Sequence, residues 1–274
     1  MRLLLAALLL IPALAPAQTC GGPDLPCEME GGTYHFARPA GEIRGVLLHL
    51  HGGGGTGNAV IKGAITQRAL ERGYAVIAPQ GWHPANRWKK DWSVRAKGTG
   101  HDRDDITFLR TVLGHVELVH GLSPAPLLIS GFSRGGSMAW DIACRAPDLA
   151  RAFAPVAGAF WDTLPEECAA PVDLFHTHGW TDRVVPLEGR SFGGGAIVQG
   201  DVWASLFILR ATNVCAFRQP ETASTEGGRW WRHWSDCESG RIDLMLHPGG
   251  HAVPKGWTDI ALDWFEARVA KDLP

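Results

Sequence analysis

The sequence predicts an α/β fold, with a mostly parallel central sheet and helices on both faces, and three observations predict it. Short apolar runs of the kind found in strands covered on both sides alternate with helix-periodic segments. The helical segments run into Gly or Pro stops at Gly73, Gly121 and Pro147. The residues with chemical potential fall just past the ends of apolar runs, where open parallel sheets carry their sites.

Val46-Leu47-Leu48-His49-Leu50 is the first buried strand and ends in the run Gly52 to Gly55. Residues 58–72 read as a helix, and Tyr74-Ala75-Val76-Ile77-Ala78 as a second strand closed by Pro79. A second helix covers 104–120, with Ile106, Leu109, Leu113 and Val116 on one face and acids in its first turn. Leu127-Leu128-Ile129 is a third strand, followed by a helix over 134–146. Strands are expected at 152–156, 172–177 and 242–247, and a closing amphipathic helix at 257–270.

Residues 1–17 read as an export signal. Arg2 supplies the positive start, Leu3 to Ile11 the apolar core, and Ala15-Pro16-Ala17 a small-x-small cleavage site. Nine apolar residues are too few to span a bilayer. Thr19 before Cys20 argues against a lipid anchor. The mature chain, 18–274, shows no linker or repeat and is expected to be one domain, secreted or periplasmic, and a monomer. All six cysteines follow the cleavage site, so disulfides are expected. Sequence neighbours give the simplest pairing: Cys20 with Cys27, Cys144 with Cys168, and Cys215 with Cys237. A net charge of −2, from 26 basic and 28 acidic residues, gives no reason to expect nucleic acid or membrane as a partner.

Gly131-Phe132-Ser133-Arg134-Gly135 follows a strand directly and opens a helix, as a nucleophile elbow requires. Larger side chains at the two glycines would collide with neighbouring backbone in so tight a turn. A serine hydroxyl is a weak nucleophile and needs a base held in one tautomer. Asp182 lies past the strand at 172–177, and His251 past the strand at 242–247, which gives the chain order Ser, acid, His. Asp173 begins its strand and would face the opposite edge, whereas His247, at a strand end, is a rival base. The backbone N–H groups of Arg134 and Gly53 are the expected oxyanion donors, each worth roughly 3–4 kcal/mol in the transition state.

His51-Gly52-Gly53-Gly54, Asp104-Asp105-Ile106-x-Phe108, Gly131 to Met138, His178-Gly179-x-x-Asp182-x-x-Val185-Pro186 and Gly249-Gly250-His251 together resemble the secreted polyhydroxybutyrate depolymerase and feruloyl esterase family. The resemblance implies an α/β-hydrolase fold and a serine esterase without metal or cofactor. Its implied substrates are hydroxyalkanoate esters or hydroxycinnamate esters of polysaccharide, possible polymers in either case, with Asp104 and Asp105 structural. Two departures bear on the substrate. Ala252-Val253-Pro254 follows the final histidine where the family often has Trp-Pro, and 187–200 is unusually glycine-rich.

Weaker signals are the tryptophans. Trp180, beside Asp182, and Trp82, at a strand end with Trp88 and Trp92, are candidate substrate contacts. Trp230-Trp231-Arg232-His233-Trp234 is either strand packing or an aromatic platform. Two His-x-His pairs, His49/His51 and His176/His178, keep a metal-dependent hydrolase as a rival, although no carboxylate spacing completes a metal site. A catalytically silent polymer-binding protein on the same scaffold is the other rival.

Overall fold

The computed structural model describes residues 20–82, 90–96, 102–122 and 125–270. The export signal at 1–17 and Trp88 lie outside the described residues. The strands are β1 Cys27–Met29, β2 Gly32–Ala37, β3 Gly45–Leu50, β4 Tyr74–Pro79, β5 Leu127–Phe132, β6 Ala152–Val156, β7 Asp173–Gly179, β8 Arg190–Phe192, β9 Ile197–Gln199, β10 Thr222–Glu226, β11 Arg229–Trp234 and β12 Arg241–His247. The helices are α1 Gly57–Lys62, α2 Ala64–Glu71, α3 Asp105–His120, α4 Arg134–Arg145, α5 Val202–Thr212 and α6 Trp257–Val269.

All strands but β8 and β9 join one sheet, in the order β1-β2-β4-β3-β5-β6-β7-β12-β11-β10. Its centre, β4 through β12, is parallel, and antiparallel strands extend both edges. β3 connects outward to β4 on one side while β5 continues to the other. The carboxyl ends of β3 and β5 therefore flank the crevice where such sheets hold ligands. This is the α/β-hydrolase fold.

The apolar strands read as continuous runs because successive side chains enter different cores. Leu48 and Leu50 pack on the face covered by α3, α4 and α5, with Leu109, Trp140 and Leu206. Leu47 packs on the opposite face with Ile61, Ala69 and Phe265 of α1, α2 and α6. Each core thus takes alternate residues of the same strand. Phe175 of β7 lies between Trp231, 5.8 Å away and stacked, and Trp264, 5.6 Å away.

Local chemistry sets the boundaries. Asp104 caps α3 by accepting from the Ile106 N–H at 3.1 Å, and Gly121 ends that helix at φ 61°. The helix expected over 58–72 is two helices. Gly63, at φ −79° and ψ 164°, ends α1 and begins α2, so the chain turns where the helical pattern ran on. Residues 20–32, for which the sequence suggested no strand, contain β1 and the start of β2. The glycine-rich 187–200 contains the β8–β9 hairpin, and α5, capped by Asp201, was not anticipated. Three disulfides join Cys20 to Cys27, Cys144 to Cys168 and Cys215 to Cys237, the neighbour pairing.

Phe175 is fully buried between two indoles, so Phe175→Ala leaves a cavity. It should lower the unfolding free energy by about 3–5 kcal/mol, read from the urea midpoint. A loss below about 1 kcal/mol would contradict this packing.

Candidate active site

Ser133 stands between β5 and α4 at φ 57° and ψ −119°, a conformation that costs a non-glycine residue about 1–3 kcal/mol. The surroundings hold it there. Its N–H donates to Val156 O at 2.9 Å, and its carbonyl accepts from Ser137 N–H at 2.8 Å. A Cβ on Gly131 would run into the Gly135 carbonyl, and a Cβ on Gly135 into the carbonyls of Leu50 and His51. The two glycines let β5, α4 and the end of β3 close around the serine.

β7 and β12 are paired in parallel up to His247 opposite Gly179, and their carboxyl ends open into two loops tied together. Trp180 N–H donates to His247 O at 2.8 Å, and Thr181 N–H to Gly249 O at 2.9 Å. These loops carry Asp182 and His251. Ser133 Oγ lies 2.8 Å from His251 Nε2, and His251 Nδ1 lies 2.7 Å from Asp182 Oδ2. An ionised carboxylate only accepts, so Nδ1 carries the imidazole proton and Nε2 presents its lone pair to the serine hydroxyl. The hydroxyl proton then has a base to receive it.

The charge that orients His251 is well supported. Burial disfavours ionised Asp182, but hydrogen bonds from His251 and the Val185 and Val184 amides outweigh it and hold the carboxyl below its usual range. Oδ1 takes the two amides, at 2.8 Å from Val184 and 2.9 Å from Val185. The ionised form therefore favours the folded state above the ordinary carboxylate range. That contribution is lost as pH falls through the lowered value.

Of the rivals, Asp173 starts β7 and pairs with Arg151 at 2.6 Å, at the opposite edge of the sheet. His247 is buried, with no hydrogen-bond partner for Nε2 among the described residues. The His-x-His pairs are engaged elsewhere. His49 Nδ1 is 2.7 Å from Ser130 Oγ, and His176 Nε2 is 2.9 Å from His178 Nδ1. Burial pulls His51 down to about 4, so it is neutral. Its Nε2 accepts from Gly81 N–H at 2.9 Å, which leaves Nδ1–H to donate to Gly52 O at 2.7 Å. His51 thereby pins the glycine loop from beneath. Among the described residues the one His/Cys/acid group at ligating distance is Cys20, Cys27 and His120, whose cysteines form a disulfide.

A cavity of about 290 Å³ opens beside Ser133. Gly53 and Arg134 border it, the two residues expected to supply oxyanion amides, together with Trp161, Val184 and Ile197. The Arg134 guanidinium turns away to Asp91 at 2.7 Å and covers the Trp161 ring at 4.4 Å. Trp161 donates from Nε1 to Ser137 Oγ at 3.1 Å and stacks on Phe192 of the hairpin. Trp161 was not singled out in the sequence, although it follows the end of β6 by five residues, a position with the same credentials as Asp182.

Trp82, Trp92 and Trp180, singled out in the sequence, do not line the cavity beside Ser133. Trp82 does not border this cavity and sits under Arg103, whose guanidinium is 5.5 Å from the ring centroid. Trp92 is fully buried and donates to His51 O at 2.8 Å. Trp180 also lies outside the cavity wall, exposed against Trp230. Asp104 caps α3, and buried Asp105 pairs with Arg103 at 2.5 Å and accepts from Ser93 N–H at 2.5 Å.

No family model matches the chain. It is 26% identical over 219 residues to feruloyl esterase C of Emericella nidulans, covering 75% of this chain and 69% of that protein. It is 24% identical over 271 residues to feruloyl esterase D of Neurospora crassa, covering 91% of this chain and 87% of that one. Its backbone is similar to the acetyl xylan esterase from Aspergillus awamori, with a TM-score of 0.63, 14% identity and coverage of 86% and 94%. It is also similar to the Bacillus cereus carboxylesterase, with a TM-score of 0.61, 14% identity and coverage of 87% and 95%.

The glycine contacts make one expectation concrete. Gly135→Ala should destabilise the fold by about 1–3 kcal/mol, because backbone carbonyls cannot yield as side chains do. A chemical-denaturation curve superimposable on wild type would refute the close approach.

Proposed function

We propose that this chain is a serine hydrolase of carboxylic esters working through a covalent acyl-enzyme. The observation that carries the reading is the unbroken hydrogen-bond series from Ser133 Oγ through His251 to Asp182, beside an open cavity. Ser133 Oγ attacks the ester carbonyl while His251 Nε2 takes the hydroxyl proton. The carbonyl oxygen becomes an oxyanion facing the Arg134 and Gly53 amides. Asp182 stabilises the imidazolium, which then protonates the departing alcohol as the tetrahedral intermediate collapses. Water, deprotonated by the same imidazole, releases the acid and restores the hydroxyl.

The acyl group we propose is a planar aromatic acid of the hydroxycinnamate kind. The two feruloyl esterases matched in sequence support it, and so does the flat Trp161 wall of the cavity. A short hydroxyalkanoate is the second reading. Export to an oxidising compartment by way of residues 1–17 is supported by the three disulfides.

The test is a panel of p-nitrophenyl butyrate, methyl ferulate and a hydroxybutyrate oligomer, run on wild type and Ser133→Ala. Removing the nucleophile should lower kcat by about 10⁵–10⁶-fold. Substantial turnover surviving in the alanine variant would defeat the mechanism. Asp182→Asn should lower kcat by about 10⁴-fold, because the amide no longer selects the required tautomer. With Asp182 held ionised, the acid limb of kcat/KM should have a limiting slope of one. A limiting slope of two would mean that a second group titrates in the free enzyme.

A further inference from the structure

Asp182 faces a second imidazole besides that of His251. His178 Nε2 lies 3.5 Å from Asp182 Oδ2, the same oxygen that accepts from His251 Nδ1, and the His178 and Asp182 side chains are sealed from solvent. His178 Nδ1 is in turn 2.9 Å from His176 Nε2, and His176 Nδ1 is 3.2 Å from Pro155 O. Both rings belong to β7 and are fully buried. The acyl-transfer steps use neither of them.

Burial holds both imidazoles below their usual range, so each is neutral and carries one proton. Two protons must therefore serve three contacts, and the distances decide where they sit. Val185 O can only accept, and His178 Nε2 stands 2.7 Å from it, so the His178 proton is on Nε2. His178 Nδ1 is then an acceptor, and His176 donates to it from Nε2–H. That leaves His176 Nδ1 without a proton opposite Pro155 O, the longest of the three contacts. The reverse order would set two lone pairs together at the shortest contact, and would turn another lone pair towards the Asp182 carboxylate. Both N–H groups thus point along the pair towards Asp182.

Val185 joins the two ends of this arrangement. Its N–H donates to Asp182 Oδ1 at 2.9 Å, and its carbonyl accepts from His178 Nε2–H. Resting on the serine-hydrolase reading above, we infer that His178, fixed as its Nε2–H tautomer between Val185 and His176, is a positioning residue that keeps Asp182 aimed at His251 Nδ1. It acts only through Asp182. A histidine that merely packs the core would contribute to turnover whatever residue stood at position 182. A positioning residue contributes only while the carboxylate is there to be positioned.

The experiment has three arms. Long-range nitrogen–proton NMR on wild type should find His176 and His178 both as Nε2–H tautomers, and a proton on Nδ1 of either ring overturns the inference. In a double-mutant cycle with p-nitrophenyl butyrate, His178→Leu should lower kcat about tenfold to hundredfold. The same change made on Asp182→Asn should cost no more than about twofold, because the two residues act as one unit. His178→Gln, which can still donate to Val185 O, should regain most of kcat. Equal losses in the two backgrounds, or a glutamine variant as impaired as the leucine one, overturns the inference. In the third arm, the low-field His251 Nδ1–H resonance reports the bond to Asp182. It should move in His178→Leu and hold its place in His178→Gln, and a resonance indifferent to His178 overturns the inference. Should wild type turn over no ester while that resonance still depends on His178, the positioning role stands and the hydrolase reading falls.

Discussion

The whole site is organised by how closely three backbone segments approach one another at Ser133. β5 ends, α4 begins and the carbonyls at the end of β3 press in from the side, at separations that exclude any side chain at Gly131 or Gly135. The serine adopts a positive φ that an isolated chain would rarely visit. Its strain is offset by the hydrogen bonds to Val156 and Ser137 and by burial of the flanking strands. The hydroxyl therefore emerges in one direction, above the start of a helix whose amides favour developing negative charge.

A buried carboxylate is costly unless its lone pairs are occupied. Asp182 meets that requirement locally, with two amides from its own turn on one oxygen and the imidazole on the other. The turn itself is anchored to the histidine loop through Trp180 and Thr181, so acid and base are positioned by one another's backbone. His51 does comparable work under the glycine loop. Being neutral, it can accept from Gly81 and donate to Gly52 at once.

Around this centre the walls come from unrelated parts of the chain. The β8–β9 hairpin is brought to the site by stacking of Phe192 on Trp161, which lies in turn under the Arg134 guanidinium. Arg134 thus has two separate parts in the geometry. Its residue borders the cavity directly after Ser133, and its side chain, held by Asp91, braces the cavity wall.

Much of this was legible in the amino-acid order, because the signals are local. Apolar runs marked the central parallel strands, the glycines around Ser133 marked the elbow, and position just past a strand end marked Asp182 and His251. Gly63 shows where local reading weakens, since helical spacing continued through a residue whose backbone turned extended. The strands β1, β2 and β10 carry mixed or exposed faces, and their pairing depends on neighbours distant in sequence. The identity of the cavity wall belongs wholly to tertiary structure. Trp82, Trp161 and Trp180 each follow a central strand, and only the twist of the sheet and the path of each loop decide which indole meets Ser133. Residue type and strand-end position determined what chemistry the chain can offer. Which aromatic surfaces surround that chemistry was decided by packing between segments that share no proximity in sequence.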